Sequence, residues 1–232
     1  MKDESAALDA KAAAAAEALR DVRSGMRLGL GTGSTAREFV RLLGAALASG
    51  ALRDIRCTTT SNDTEEQAVS LGIPTFPLAE VEPLDLAVDG ADEIDSALRL
   101  IKGRGGALLR EKIVEQAAKR FLVIADESKL VEKLGVGTLP VEVTPFALDV
   151  LTRRFEAMGL APSLRMRDHA PRITDEGNRI VDIRIPPDRD IADVVDEIRR
   201  HAGVVESGFF PTEASEAVIA STNGVRRMRR ND

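Results

Sequence analysis

The stretch of this 232-residue chain richest in reactive side chains is Lys102-Gly103-Arg104-Gly105-Gly106-Ala107-Leu108-Leu109-Arg110-Glu111-Lys112. Its glycines form a loop that opens a helix, with a cation at the start and Glu111 roughly two turns in. An ammonium can stabilise an oxygen that gains negative charge, and a carboxylate can take a carbon-bound proton. Lys102 and Glu111 therefore form the acid–base pair that enolisation beside a carbonyl requires. The plainer alternative is a flexible exposed loop leading into a helix whose Arg110, Glu111 and Lys112 are solvated, which leaves three glycines in four residues unexplained. A second stretch, Asp89-Gly90-Ala91-Asp92-Glu93-Ile94-Asp95, follows the apolar run Leu84 to Val88. Two neighbouring carboxylates repel, which raises the pKa of at least one and suits proton transfer or hydroxyl binding; a solvated acidic turn is the plainer alternative. The third stretch is Gly29-Leu30-Gly31-Thr32-Gly33-Ser34-Thr35-Ala36. A glycine turn between strand and helix exposes backbone N–H groups at the positive end of the helix dipole, and Ser34 and Thr35 add hydroxyls, so a phosphate fits there.

That third stretch also matches a loose dinucleotide fingerprint. The acid expected at the end of the next strand is missing, however, since Thr58-Thr59-Thr60-Ser61 stands there, and no lysine follows the glycines to make a nucleotide P-loop. Lys129, just past the run Phe121 to Ala125, is a further ligand for an anionic or hydroxylated substrate. Thr60-Ser61-Asn62-Asp63-Thr64 crowns the second strand, where its hydroxyls either face the same crevice or simply cap a helix at Ser61 or Asn62.

These groups need elements to carry them. Ser5 to Val22 is Ala-rich and predicts a helix. Met26 to Leu30, Ile55 to Thr60, Leu84 to Val88 and Phe121 to Ala125 predict strands, alternating with helices over Ala36 to Leu47, Asn62 to Leu71 and Leu109 to Ala118; Asn62 and Glu65 are spaced as a capping pair. Apolar strands alternating with helices predict a Rossmann-like parallel sheet covered on both faces, with ligands bound beyond the carboxyl ends of its strands. After Gly137 the rhythm becomes β-α-β-β-α-β, with strands over Leu139 to Val143, Ala161 to Arg167, Ile180 to Ile185 and Val204 to Phe209, and helices over Pro145 to Met158 and Ile191 to His201. That order predicts a ferredoxin-like α+β domain over 138–210, inserted into a domain made of 1–137 and 211–232. Glu216 to Ser221 then returns as a strand to the first sheet.

Composition narrows the function classes. Hydrophobic residues make up 44% and charged residues 30%, as in folded globular proteins, and 32 Lys+Arg against 38 Asp+Glu leave a net charge of -6. A nucleic-acid binder using its whole surface is excluded, and with no Trp or Tyr there is no stacking platform for bases. One cysteine, Cys57, permits no internal disulfide and is read as core packing, while His169 and His201 are too few for a histidine metal site and lie away from the crevice. No apolar run is long enough to span a membrane and no leader-like apolar stretch opens the chain, so a cytoplasmic protein is expected. Arg226, Arg227, Arg229 and Arg230 form a basic end expected to be disordered or to make an interface.

Taken together, GLGTGSTA (29–36), TSNDT (60–64), VDGADEID (88–95), KGRGGALLREKI (102–113), IADESK (124–129) and LPVEV (139–143) resemble the type A ribose-5-phosphate isomerase family in order and spacing, over essentially the whole chain. The resemblance implies aldose–ketose isomerisation between ribose 5-phosphate and ribulose 5-phosphate in the pentose phosphate pathway, with no metal or organic cofactor and with a homodimer or homotetramer as the assembly. It implies Glu111 as the base working through an enediolate, Lys102 as the stabiliser of the negative oxygen, and Asp89 and Asp92 as holders of sugar hydroxyls that assist ring opening. Thr32, Gly33, Ser34 and Thr35 would form the substrate loop, Gly90, Ala91, Gly103, Arg104 and Gly105 would add contacts, and Lys129 and Lys11 would be further ligands. The chain departs from the family's frequent KGGG by placing Arg104 after Gly103, which bears on the shape of that loop. An amino-sugar-phosphate deaminase would want a histidine near the site, and a sugar-phosphate sensor would need neither Glu111 nor Lys102.

Overall fold

The computed structural model describes residues 2–230, with side chains from residue 9 onward. Six strands form the central sheet in the order Gly224–Arg229, Glu216–Ser221, Phe121–Asp126, Leu86–Asp89, Arg27–Leu30, Arg56–Thr59. Neighbours run parallel except at the Gly224–Arg229 edge. The interior strands are buried on both faces, as their unbroken apolar character requires. One face packs on the helices Lys2–Leu19 and Ser34–Ala48, where Ala14, Ala15 and Ala18 let the first helix lie close to Leu43, Ile124 and Val218. From Arg27–Leu30 the chain passes to Arg56–Thr59 on one side and then to Leu86–Asp89 on the other. The loops that follow Leu30 and Asp89 therefore diverge and leave a crevice between them.

A second sheet is antiparallel, with the order Val204–Ser207, Leu139–Val143, Arg179–Ile183, Ser163–Leu164. This is the strand order of the split β-α-β motif, closed by the helices Leu148–Ala157 and Ile191–Ile198 around a core of its own with Phe155, Leu151 and Ile198. The expected strand Ala161 to Arg167 is broken, because only Ser163–Leu164 pairs in this sheet and Met166–Arg167 turns back into a hairpin with Ala170–Pro171.

Three features depart from the sequence reading. The basic end is an ordered edge strand: Arg227 pairs with Glu17, Asp21 and Glu216, and Arg230 donates to the carbonyls of Leu98, Pro211 and Ala214. These contacts join the ends of the chain, which no local pattern reveals. The helix Asn62–Ser70 is capped by Ser61, one of the two caps the sequence offers, whose hydroxyl accepts from the Thr64 amide; Asn62 lies inside the helix, so the Asn62–Glu65 capping pair does not form. Finally, a small sheet of Glu93–Ile94, Leu100–Ile101 and Phe209–Phe210 joins the two larger parts, its strands too short to show a period. It sets Lys102, whose amide donates to the Gly208 carbonyl at 2.8 Å.

Candidate active site

A cleft of ≈ 380 Å³ opens beyond the carboxyl ends of Arg27–Leu30 and Leu86–Asp89. Three loops form its walls. The first carries Thr32, Gly33, Ser34 and Thr35, the second Gly90, Ala91 and Asp92, and the third Lys102, Gly103, Arg104 and Gly105; Glu111, Lys129 and Lys11 complete the lining. Of the site residues that the family resemblance implies, Asp89 alone does not line the cleft. It is 1% exposed and sits directly behind Gly90.

Asp89 organises the cleft floor. Its Oδ1 accepts from the amides of Thr32 at 2.9 Å and Gly90 at 2.6 Å, tying two loops together, and its Oδ2 lies 2.8 Å from Lys102 Nζ. Gly31 makes this approach possible, because a Cβ there would stand 2.1 Å from Asp89 Cγ. Thr32 is held from its other side by a hydroxyl cluster: its Oγ1 lies 2.7 Å from Thr60 Oγ1, 2.8 Å from Ser61 Oγ and 3.2 Å from Thr64 Oγ1. The TSNDT hydroxyls thus brace the first loop and do not line the cleft.

Lys102 is 2% exposed and donates to the Gly90 carbonyl at 2.6 Å. Three carboxylates surround its Nζ, with Asp89 at 2.8 Å, Glu115 at 3.1 Å and Glu111 at 3.6 Å. One of its three donors goes to Gly90, and Asp89 Oδ2, Glu111 Oε2 and both Glu115 oxygens make no hydrogen bond among the described residues, so these carboxylates act on the ammonium chiefly through charge. Burial disfavours the charged lysine, but Asp89, Glu111 and Glu115 outweigh it and hold the ammonium well above its ordinary pKa.

The helix Leu108–Gln116 presents Glu111 and Glu115 on one face, four residues apart. Buried Lys112 pins that helix by donating to the carbonyls of Ser207 at 2.9 Å and Phe209 at 2.7 Å. Burial raises the Glu111 carboxyl to about 8; Lys102 opposes the rise, and Asp89 and Asp92 add to it. Glu115 is also pushed well above the carboxylate range, first by burial and then by Asp89 and Glu111, against Lys102. The motif reading missed Glu115, though its spacing from Glu111 was visible.

The opposite wall has anion-binding character. The helix Ser34–Ala48 begins at Gly33, φ +109°, with no side chain capping it, so its first amides are left beside the cleft with the Ser34 and Thr35 side chains. Lys11 and Lys129 add positive charge nearby. Asp92 sits between the walls, with Oδ2 accepting from the Arg104 amide at 2.9 Å and Oδ1 3.8 Å from Nε of the largely exposed Arg104 side chain. Neither histidine lines the cleft, and Cys57 is buried with its thiol raised to about 12 by burial. Among the described residues no group of three or more His, Cys, Asp or Glu is arranged to hold a metal ion. A proton acceptor and an ammonium at one end, with anion-binding amides at the other, suit proton transfer beside a carbonyl of a phosphorylated molecule.

The family model described as ribose 5-phosphate isomerase A (phosphoriboisomerase A) matches residues 56–224. The chain is 51% identical to ribose-5-phosphate isomerase A of Rhodopseudomonas palustris (strain BisB5), covering 96% of this chain and 98% of that protein. It is 46% identical to a probable ribose-5-phosphate isomerase 1 of Arabidopsis thaliana, covering 93% and 85%. Among solved structures, the ribose 5-phosphate isomerase of Plasmodium falciparum superposes with TM-score 0.92 at 36% identity, covering 97% of this chain and all of that one (100%). A D-ribose-5-phosphate isomerase in complex with phospho-erythronic acid superposes with TM-score 0.91 at 40% identity, covering 96% and 98%.

Proposed function

The chain belongs to the ribose 5-phosphate isomerase A family, and from that premise we propose that it interconverts ribose 5-phosphate and ribulose 5-phosphate, with Glu111 as the base and Lys102 as the oxyanion stabiliser. The observation that carries this reading is the buried Glu111 carboxyl, raised to about 8 and 3.6 Å from the Lys102 ammonium. A base of that strength suits abstraction of a proton beside a carbonyl better than an ordinary carboxylate. Phospho-erythronic acid, bound in the related structure, supports it: its carboxylate resembles the two oxygens of an enediolate and its phosphate supplies the same handle.

In the ketose-forming direction, Glu111 takes the proton from C2 of the open-chain aldehyde and the electron pair moves to give a C1–C2 enediolate. Lys102 faces the oxygen that becomes negative. Glu111 returns the proton to C1, and the proton of the C2 hydroxyl moves to O1, which leaves the ketone at C2. Asp92 contacts sugar hydroxyls and Asp89 acts through Lys102, both assisting ring opening. The phosphate sits at the start of the Ser34–Ala48 helix with Ser34, Thr35 and Lys11, and its binding energy orients the reacting carbons. Thr32, Gly33, Gly90, Ala91, Gly103, Arg104, Gly105 and Lys129 shape the cleft around the sugar, and no cofactor is required.

The same reading puts the enzyme in the non-oxidative pentose phosphate branch of the cytoplasm, as a homodimer or homotetramer. Fully exposed Phe146 and half-exposed Val150 supply apolar surface for such an assembly. The two main apolar clusters support a division into 138–210 and the remainder, although Ile101 and Leu134 of the remainder pack into the core of the smaller part. A ketose-specific assay on the purified chain with ribose 5-phosphate, run beside Glu111→Gln, tests the reaction. Parent turnover with a ~10²–10⁴-fold loss in the variant is expected. An inactive parent that the phosphosugar still protects from unfolding would point to a sensor or a sister chemistry.

A further inference from the structure

We propose that Arg165 and Arg172 of the antiparallel domain are positioning residues for this reaction, holding the 102–106 loop in its working shape by its backbone carbonyls. The role rests on the isomerase reading of the cleft. Arg165 Nη1 donates to the carbonyl of Gly103 at 2.5 Å and of Arg104 at 3.0 Å, and Arg172 Nη2 donates to the carbonyl of Gly105 at 2.6 Å. Three successive carbonyls of one loop are thus taken by two guanidinium groups from another domain.

Both arginines are themselves held. Asp182 accepts from Arg165 Nε at 2.8 Å and also from its Nη2, which fixes the guanidinium plane. Arg165 and Arg172 are joined by a backbone hydrogen bond of 2.9 Å, and the segment beyond them is tied back to the parallel domain, where Asp175 Oδ2 accepts from the Asn62 amide at 2.9 Å and Glu176 from Arg110. Arg172 packs so closely over Gly106, φ +83°, that a Cβ there would lie 2.3 Å from its Nε.

A loop of this composition cannot hold its own shape, because glycine carries more backbone freedom than any other residue. Its inner side carries Lys102 toward Asp89 and the Arg104 amide toward Asp92; its outer side is closed by Arg165 and Arg172. Arg165 spreads its contacts over separate nitrogens, Nη1 to the loop carbonyls and Nε with Nη2 to Asp182, a span that the single nitrogen of lysine cannot bridge. The antiparallel domain in this way braces the reaction site from behind, although none of its residues lines the cleft.

The test measures kcat and KM for ribose 5-phosphate together with amide hydrogen exchange at 103–106 in Arg165→Met, Arg165→Lys and Arg172→Gln. Arg172 lies on a surface hairpin, so its variant should fold even if changes at Arg165 do not. The expected result is a ~10 to ~10²-fold fall in kcat/KM, faster exchange confined to the loop, no rescue by Arg165→Lys and an unmoved pH limb. Folded variants with parental kinetics and parental exchange would overturn the proposal. A parent inactive on ribose 5-phosphate would remove the isomerase reading and the kinetic role with it, while the exchange measurement would still report whether the arginines hold the loop.

Discussion

Glu111 Oε2 faces Lys102 Nζ across 3.6 Å, at the buried end of a cleft that opens to solvent at the other. The lysine stays charged because three carboxylates outweigh its burial, and the glutamate keeps its proton to about pH 8 because burial and the two aspartates outweigh the lysine. One ammonium cannot satisfy three carboxylates in a dry site, and that imbalance makes a strong base.

The first consequence concerns pH. The base acts ionised, so kcat/KM should rise with pH, with slope near one, and level off above about 8. A rate profile in ribose 5-phosphate checks it; a plateau already reached at pH 5 would count against Glu111.

The same strain costs stability. Between pH 4.5 and about 8 the unfolded chain has released the Glu111 proton and the folded chain has kept it, so rising pH favours unfolding, by at most ~1.4 kcal/mol per unit. Glu111→Gln removes the titration. Its melting temperature should therefore gain on the parent from pH 5 to pH 8, and a difference that stays constant would contradict this origin.

Glu115 and Asp89 touch the same ammonium but should respond differently. Glu115 does not line the cleft, so the isosteric Glu115→Gln should lower kcat/KM far less than Glu111→Gln. Asp89→Asn weakens the 2.8 Å ion pair and should destabilise the fold by about 3 kcal/mol. Paired denaturant titrations and kinetics separate the two.

Gly31→Ala would place a methyl group 2.1 Å from Asp89 Cγ. The carboxylate must move away from Thr32 and Lys102, lowering kcat/KM by ~10²-fold and stability by about 1–3 kcal/mol. Parental values in both measurements would show that the loop absorbs the methyl.

Lys102 Nζ already occupies the centre of the carboxylate cluster, the place a cation would take. Chelation with EDTA should leave turnover unchanged; inhibition reversed by added Mg²⁺ would reassign the electrophile.

Most of the parallel sheet was legible because its strands are continuous apolar runs closed by glycine or aspartate turns, and burial on both faces demands that pattern. Both Gly31 to Thr35 and Asp89 to Asp92 follow the carboxyl ends of parallel strands, where ligands bind, so the sequence assigns them to the ligand side of the sheet; that the two strands are neighbours is decided by the fold. The choice of Ser61 over Asn62 as cap and the bracing of Thr32 by the TSNDT hydroxyls were not legible, because a hydroxyl near a strand end serves a cap, a neighbour or a ligand equally well.

The sequence by itself determined the chemistry on offer: a glutamate and a lysine flanking a glycine loop, a helix start able to take an anion, and aspartates between them. Only the tertiary structure decided how those groups feel one another. Desolvation, the fourth carboxylate at Glu115, the arginines reaching 62 and 67 residues back to the loop, and Arg227 joining the two ends of the chain are all relations between distant segments. Electric potential and packing depend on separation in space, and local residue patterns record only separation along the chain.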